Sequence, residues 1–273
     1  MTNAMDALQL YKLLADKALN TVAGVPAAHK TLFRPTRASI TYYQTLYLDQ
    51  IGLAHPPQKR PGDATCQYCA SFHLGNLKVI DKRSDITFSK HLEQCFQEFL
   101  EDHLNLQEAV VTCQRADQQD LHMPDFKIVR SRDQKVLTYF EFKVIFRPFL
   151  KIANQVNPSF ECYSNSLTLD LSNGNKLQEQ RDRVEKLLGV ANTIYVYWYD
   201  LPCVKGVFWM PASRVYEIMD IQQRTAYDRK YVAGDFNAFG RKNAATKKLY
   251  LPLLEMSDLQ ALLAFVLQRS RQG

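Results

Sequence analysis

"MPDFKIVRSRDQKVLTYFEFKVIF", residues 123–146, is the stretch on which the reading of the chain turns. "PDFKIV" and "KVLTYFEFKVIF" are rich in β-branched and aromatic residues, and the polar "RSRDQ" between them is turn-like, the pattern of a β-hairpin. Yet its strands carry Asp125, Glu141 and Lys143. A charged residue in a sheet needs a partner, water or a task. Side chains alternate along a strand, so Val136, Thr138, Phe140, Phe142, Val144 and Phe146 share one face, predicted to meet the core. Leu137, Tyr139, Glu141, Lys143 and Ile145 share the other. Asp125, at the start of the preceding strand, reaches the same place if the hairpin pairs in register. Two carboxylates and an ammonium then converge on one spot.

That trio suits metal-assisted phosphodiester hydrolysis. Carboxylate oxygens hold Mg²⁺, a hard cation. The metal stabilises charge on the phosphate and acidifies a bound water. A lysine orients or helps deprotonate that water, or stabilises developing negative charge. Against this stands a plain alternative, a solvated Glu-x-Lys pair on a strand edge. The bulky apolar residues on both sides of Glu141-Phe142-Lys143 do not fit an exposed edge.

Working outward, residues 88–104 read as a helix with Leu92, Phe96, Phe99 and Leu100 on one face, followed by a strand at 108–113. Beyond the hairpin, 175–188 reads as a helix bracketed by Gly174 and Gly189. "TIYVYWY" (193–199) and "VKGVFWM" (204–210) read as strands. "KKLYLPL" suggests a last strand, and "MSDLQALLAFVLQR" a last helix capped by Ser257. Upstream, residues 4–20 space Leu8, Tyr11, Leu14 and Ala18 as an amphipathic helix does, and "SITYYQTLYLDQIGL" suggests a second helix with Ser39 as its N-cap. "AHPPQKRPGDA" (54–64) is the best linker. The order helix, three strands, helix, two strands predicts an α/β fold, a central mixed sheet flanked by helices.

Pro124-Asp125 followed by Glu141-Phe142-Lys143 resembles the signature of the PD-(D/E)XK nuclease superfamily, which includes many type II restriction endonucleases. The element order over about residues 88–200 is similar to that superfamily's core. The resemblance implies that Asp125 and Glu141 bind Mg²⁺ and that Lys143 is the catalytic lysine. Members often add a glutamate from the helix before the first strand; of Glu93, Glu98 and Glu101, Glu93 lies at the margin of the inward face at about 100° per residue, whereas Glu98 points away. Members also often place a polar residue on the helix after the lysine strand. There Gln180 falls within the inward arc set by Leu177, Val184, Leu187 and Leu188, either bracing the site or serving as a structural hydrogen-bonder. The expected organisation is an N-terminal helical extension (1–62) and a nuclease domain (63–273).

Cys66-x2-Cys69 is followed by His91-x3-Cys95, an i,i+4 pair on the predicted helix. Together they match a Cys3His zinc site within 66–95, with His73 a competing fourth ligand. The alternative is that these cysteines are ordinary buried residues. Cys113, Cys162 and Cys203 stand alone. Arg181 and Arg183 of "QRDR" are candidate DNA contacts, because guanidinium matches phosphate and guanine bidentately; the competing reading is a solvated helix face. "HKTLFRPTR" (29–37), "QKRPG" (58–62) and "FGRKNAATKK" (239–248) are basic stretches suited to a DNA backbone.

The net charge of +6 permits a nucleic-acid partner without demanding one. No apolar run approaches the roughly 20 residues that span a bilayer, and the N-terminus lacks the features of a secretory signal. A cytoplasmic location with reduced cysteines is therefore expected. The expectation for function is a Mg²⁺-dependent, sequence-specific double-stranded DNA endonuclease of the type II restriction kind. It would work as a homodimer, since cutting two strands usually takes two sites. The rival readings are a repair, recombination or mobile-element nuclease of the same chemistry, and a zinc-containing DNA-binding protein with an inactive nuclease-like core.

Overall fold

The computed structural model describes residues 5–20, 82–117, 119–120, 122–145, 167–170, 176–200, 205–221, 226–229, 246–251 and 255–272. Outside them lie the helix expected around Ser39, the 54–64 linker, Cys66, Cys69 and His73, Cys162 and Cys203, and all but the last three residues of the three basic stretches.

The hairpin forms as β2 (Phe126–Arg130) and β3 (Lys135–Ile145), paired antiparallel with Phe126 opposite Phe140 and Arg130 opposite Lys135. Its register shifts once. Ile128 faces Thr138 while Val129 faces Val136, so Leu137 is an extra residue in β3. A bulge of this kind resets the alternation of side chains. This corrects one expectation: Leu137 is buried in the same core as Phe140 and Phe142, not on the face of Glu141 and Lys143. Val136 is only half-buried.

β1 (Val111–Arg115) flanks β2, β5 (Thr193–Asp200) runs parallel to β3, and β6 (Lys205–Pro211) and the two-residue β9 (Ser257–Asp258) complete the sheet. Among the described residues this is a six-stranded mixed sheet in the order β1-β2-β3-β5-β6-β9. The parallel β3–β5 pair requires a crossover, and α3 (Lys176–Arg183) lies within it. β5 is central, and Ile194 to Tyr199 are shielded from solvent on both faces, as its uninterrupted apolar and aromatic run implies.

Two cores follow from this. On one face α1 (Ala7–Asn20), α2 (Lys82–Asn105) and α5 (Leu259–Arg271) cover Phe126, Phe140, Phe142, Val196 and Trp198. Phe96 of α2 stacks on Phe142 with ring centres 4.8 Å apart. α1, the described part of the 1–62 extension, packs into this same core through Leu10, Tyr11 and Leu14. On the other face Tyr195, Tyr197, Tyr199, Phe208 and Met210 meet α3 and α4 (Ala212–Asp220). Leu249 and Leu251 of β8 (Thr246–Leu251) join them. β8 is the middle strand of a second, antiparallel sheet between β4 (Leu167–Asp170) and β7 (Ala226–Arg229).

The predicted 175–188 helix is α-helical to Arg183 and then widens into a π turn, Val184–Leu188, closed by a Gly189 N–H to Val184 carbonyl bond of 2.8 Å. Gly189 has φ +85°, a conformation suited to glycine. The cap of α5 is also corrected. Ser257 is committed to the β6–β9 ladder opposite Trp209, and it is Asp258 whose Oδ1 accepts the Ala261 N–H at 2.8 Å. The free edge of β1 is lined by α2 side chains. Asn105 accepts from Val111 N at 2.8 Å and donates to Val111 O at 3.2 Å, and Glu101 Oε2 accepts from Cys113 N at 2.8 Å. No helix among the described residues is long and apolar enough to cross a membrane.

Candidate active site

Asp125 immediately precedes β2. Continuing the hairpin register by one residue sets it opposite Glu141, and its Oδ2 accepts the Phe142 N–H at 2.7 Å. Glu141 itself is buried, at 4 % exposure. Its Oε1 accepts from Lys143 Nζ, two residues along the same face, and its Oε2 accepts from Gln180 Nε2 at 2.7 Å. Gln180 is buried on α3 and accepts in turn from the Tyr195 hydroxyl at 2.8 Å. Tyr195 lies opposite Glu141 in the parallel β3–β5 pair, and its hydroxyl is 3.4 Å from that of Tyr216 on α4. A chain of polar contacts therefore runs from α4 through β5 and α3 to the hairpin.

Glu93 arrives from α2. Its Oε1 accepts from Arg115 NH1 at 2.6 Å and from Gln97 Nε2 at 3.3 Å. The structure thus brings Glu93, Asp125, Glu141, Lys143 and Gln180 together. Glu98 and Glu101 go elsewhere: Glu98 pairs with Lys17 at 3.4 Å, and Glu101 holds the β1 edge.

The charges act on one another. Burial, then the negative charge of Asp125, raises the Glu93 carboxyl above the usual range, with Arg115 and Lys143 opposing. Burial alone would lower Lys143, but Glu141, Asp125 and Glu93 outweigh it and hold the ammonium above its ordinary value. In this arrangement the neighbouring carboxylates thus favour Lys143 as an ammonium. Burial raises the Tyr195 phenol well above its usual range and pushes Tyr216 up to about 12, so both remain protonated donors.

In this arrangement the carboxylates are engaged with Lys143, Gln180, Arg115 and the Phe142 N–H. Among the described residues no group of three or more His, Cys, Asp or Glu side chains is disposed to hold a metal ion. The donor chemistry nevertheless suits Mg²⁺: three carboxylates, all oxygen donors, set against Lys143 and Arg115.

Of the zinc candidates, His91 and Cys95 fall on one side of α2, with Nε2 and Sγ 3.3 Å apart, and His91 Nε2 also lies 3.3 Å from the Ala18 carbonyl. Cys66 and Cys69 are outside the described residues. The arginines of α3 are both paired. Arg181 binds Glu185 at 2.7 Å and clasps Asp220 while lying over the Tyr216 ring. Arg183 donates to Asp120 at 2.9 Å, and Glu179 one turn earlier meets His122 at 2.7 Å. These two contacts tie the loop before Asp125 to α3.

Two neighbours escaped the sequence reading, Arg115 and Tyr195. Both owe their position to strand register, which no local pattern encodes. Compared with protein-family models, with curated proteins and with solved structures, the chain gives no match.

Proposed function

We propose that the chain is a Mg²⁺-dependent endonuclease of double-stranded DNA with a PD-(D/E)XK core, of the type II restriction kind. The observation that carries this reading is the meeting of Asp125, Glu141 and Lys143 with Glu93 at the head of the β2–β3 hairpin. The frame around them, a helix, a three-strand meander, a crossover helix and a parallel strand, supports it.

Asp125, Glu141 and Glu93 would hold Mg²⁺, which when bound supplies positive charge to the phosphoryl oxygens and a more acidic water. The protein's own groups do the rest. Lys143, kept as an ammonium, stabilises the charge that grows on the phosphate as water attacks phosphorus and a P–O bond breaks. Gln180 holds the Glu141 carboxylate in one orientation, and Tyr195 holds Gln180. Cutting both strands calls for two such sites, hence a homodimer on DNA. Cys66, Cys69, His91 and Cys95 are proposed as a structural zinc site beside this core.

The test is incubation of the purified full chain with plasmid DNA and Mg²⁺, with the cut ends mapped. Cutting at one short sequence supports the restriction reading, and cutting governed by DNA structure supports a repair or recombination nuclease. EDTA should stop cleavage. Asp125→Ala, Glu141→Ala and Lys143→Ala should each lower the rate ~100-fold or more while duplex binding persists in Ca²⁺. Wild-type cleavage by Lys143→Ala would refute the site. Duplex binding without cleavage in any divalent metal would favour the inactive-core reading.

A further inference from the structure

Arg115 is the last residue of β1, opposite Phe126 and so at the strand end that carries Asp125; the next residue's N–H reaches the Asp125 carbonyl at 3.4 Å. Its guanidinium is bound to Glu93 at 2.6 Å, yet 46 % of its side chain meets solvent, whereas Glu93 is only 13 % exposed. The pair therefore has an inner, enclosed partner and an outer, accessible one. Formal charges at the site are three carboxylates (Glu93, Asp125, Glu141) against Lys143 and Arg115. Without a divalent cation, Arg115 supplies the positive charge that Glu93 lacks. With one, the guanidinium becomes surplus positive charge at the rim.

Resting on the nuclease reading above, we propose that Arg115 is a phosphate-binding residue held in reserve by Glu93: a divalent cation takes over Glu93, and the released guanidinium turns outward to grip a backbone phosphate of the duplex. The geometry of guanidinium suits both partners, since it pairs bidentately with carboxylate and with phosphate. Nothing else about Arg115 needs to change, because a half-exposed side chain on a surface strand swings without disturbing the core.

The proposal makes two opposite predictions for one substitution, read without cleavage. Removing the competitor in Arg115→Gln should tighten Ca²⁺ binding, measured by titration calorimetry, about threefold to fivefold. The same variant should bind a fluorescein-labelled random-sequence duplex in Ca²⁺ more weakly, with a log–log salt dependence shallower by about 0.9, the loss of one phosphate contact. Arg115→Lys should keep the wild-type salt slope. Arg115→Gln with unchanged Ca²⁺ affinity and unchanged salt slope would overturn the proposal, as would weaker Ca²⁺ binding. Asp125→Asn separates the two levels. If it abolishes Ca²⁺ binding while Arg115→Gln changes nothing, the reserve role fails and the metal site stands. If it leaves Ca²⁺ binding intact, the metal site and the reserve role fail together.

Discussion

Replacing Gln180 by leucine is the sharpest probe of how the site is braced. Gln180 is 3 % exposed and makes two contacts, a donation to the buried Glu141 carboxylate at 2.7 Å and an acceptance from the Tyr195 hydroxyl at 2.8 Å. Leucine fills nearly the same volume and makes neither. A hydrogen bond to a charged group contributes about 1.5–3 kcal/mol, and a neutral one about 0.5–1.5 kcal/mol. The added apolar burial offsets roughly 1 kcal/mol. The expected loss is therefore about 2–3 kcal/mol, visible as a lower urea midpoint at unchanged slope. Most of the penalty is the loss of these two bonds, which leaves the Tyr195 hydroxyl with only the Tyr216 hydroxyl 3.4 Å away. The double variant Gln180→Leu/Tyr195→Phe removes both ends of the Gln180–Tyr195 bond and should lose less than the sum of the single losses, by at least about 0.5 kcal/mol. A loss below about 0.5 kcal/mol for Gln180→Leu, or strict additivity in the double variant, would refute the brace.

Two further expectations concern the periphery. If Cys66, Cys69, His91 and Cys95 form a closed site, native protein should contain about one zinc per chain by elemental analysis, and Cys95→Ser should release it and lower thermal stability; protein without zinc ends that reading. The guanidinium of the buried Arg130 holds Asp133 down at about 2, through contacts at 2.6 and 3.0 Å. A carboxyl depressed in the fold stabilises above its unfolded value near 4 and loses that contribution as pH falls toward about 2. The gap in Tm between wild type and Asp133→Asn should accordingly be widest at neutral pH and close between about pH 4 and pH 2; a gap that is constant across that range contradicts the assignment.

The parts legible in the sequence were those set by local periodicity. The α2 face of Leu92, Phe96, Phe99 and Leu100, the hairpin and the wholly buried β5 all follow from residue spacing and side-chain type. The meeting of Asp125 with Glu141 was legible too, because a short turn fixes hairpin register nearly as firmly as chain connectivity does. The Leu137 bulge was not, since apolar residues stand on both faces of 136–146 and the extra residue shows only when the partner strand is laid beside it. α4, β4, β7 and β9 were missed for a related reason: they are short, and the three strands are defined by pairing with β8 or β6 rather than by a pattern of their own. Arg115 was invisible because its place beside Glu93 depends on how β1 pairs with β2 and packs on α2, and Tyr195 because β5 reaches the hairpin from some fifty residues downstream.

The polar fringe that α2 lays along β1 also bears on how two copies could meet. An incoming strand needs outward-pointing N–H and C=O groups, and those of Val111 together with the N–H of Cys113 are already taken by Asn105 and Glu101. The β1 edge is thus occupied over Val111–Cys113, and among the described residues the β9 edge, at the opposite margin, is two residues long. A dimer that brings two cutting centres to one duplex would then not join through this stretch of β1, and the spacing between the centres would be set by the other surfaces that meet.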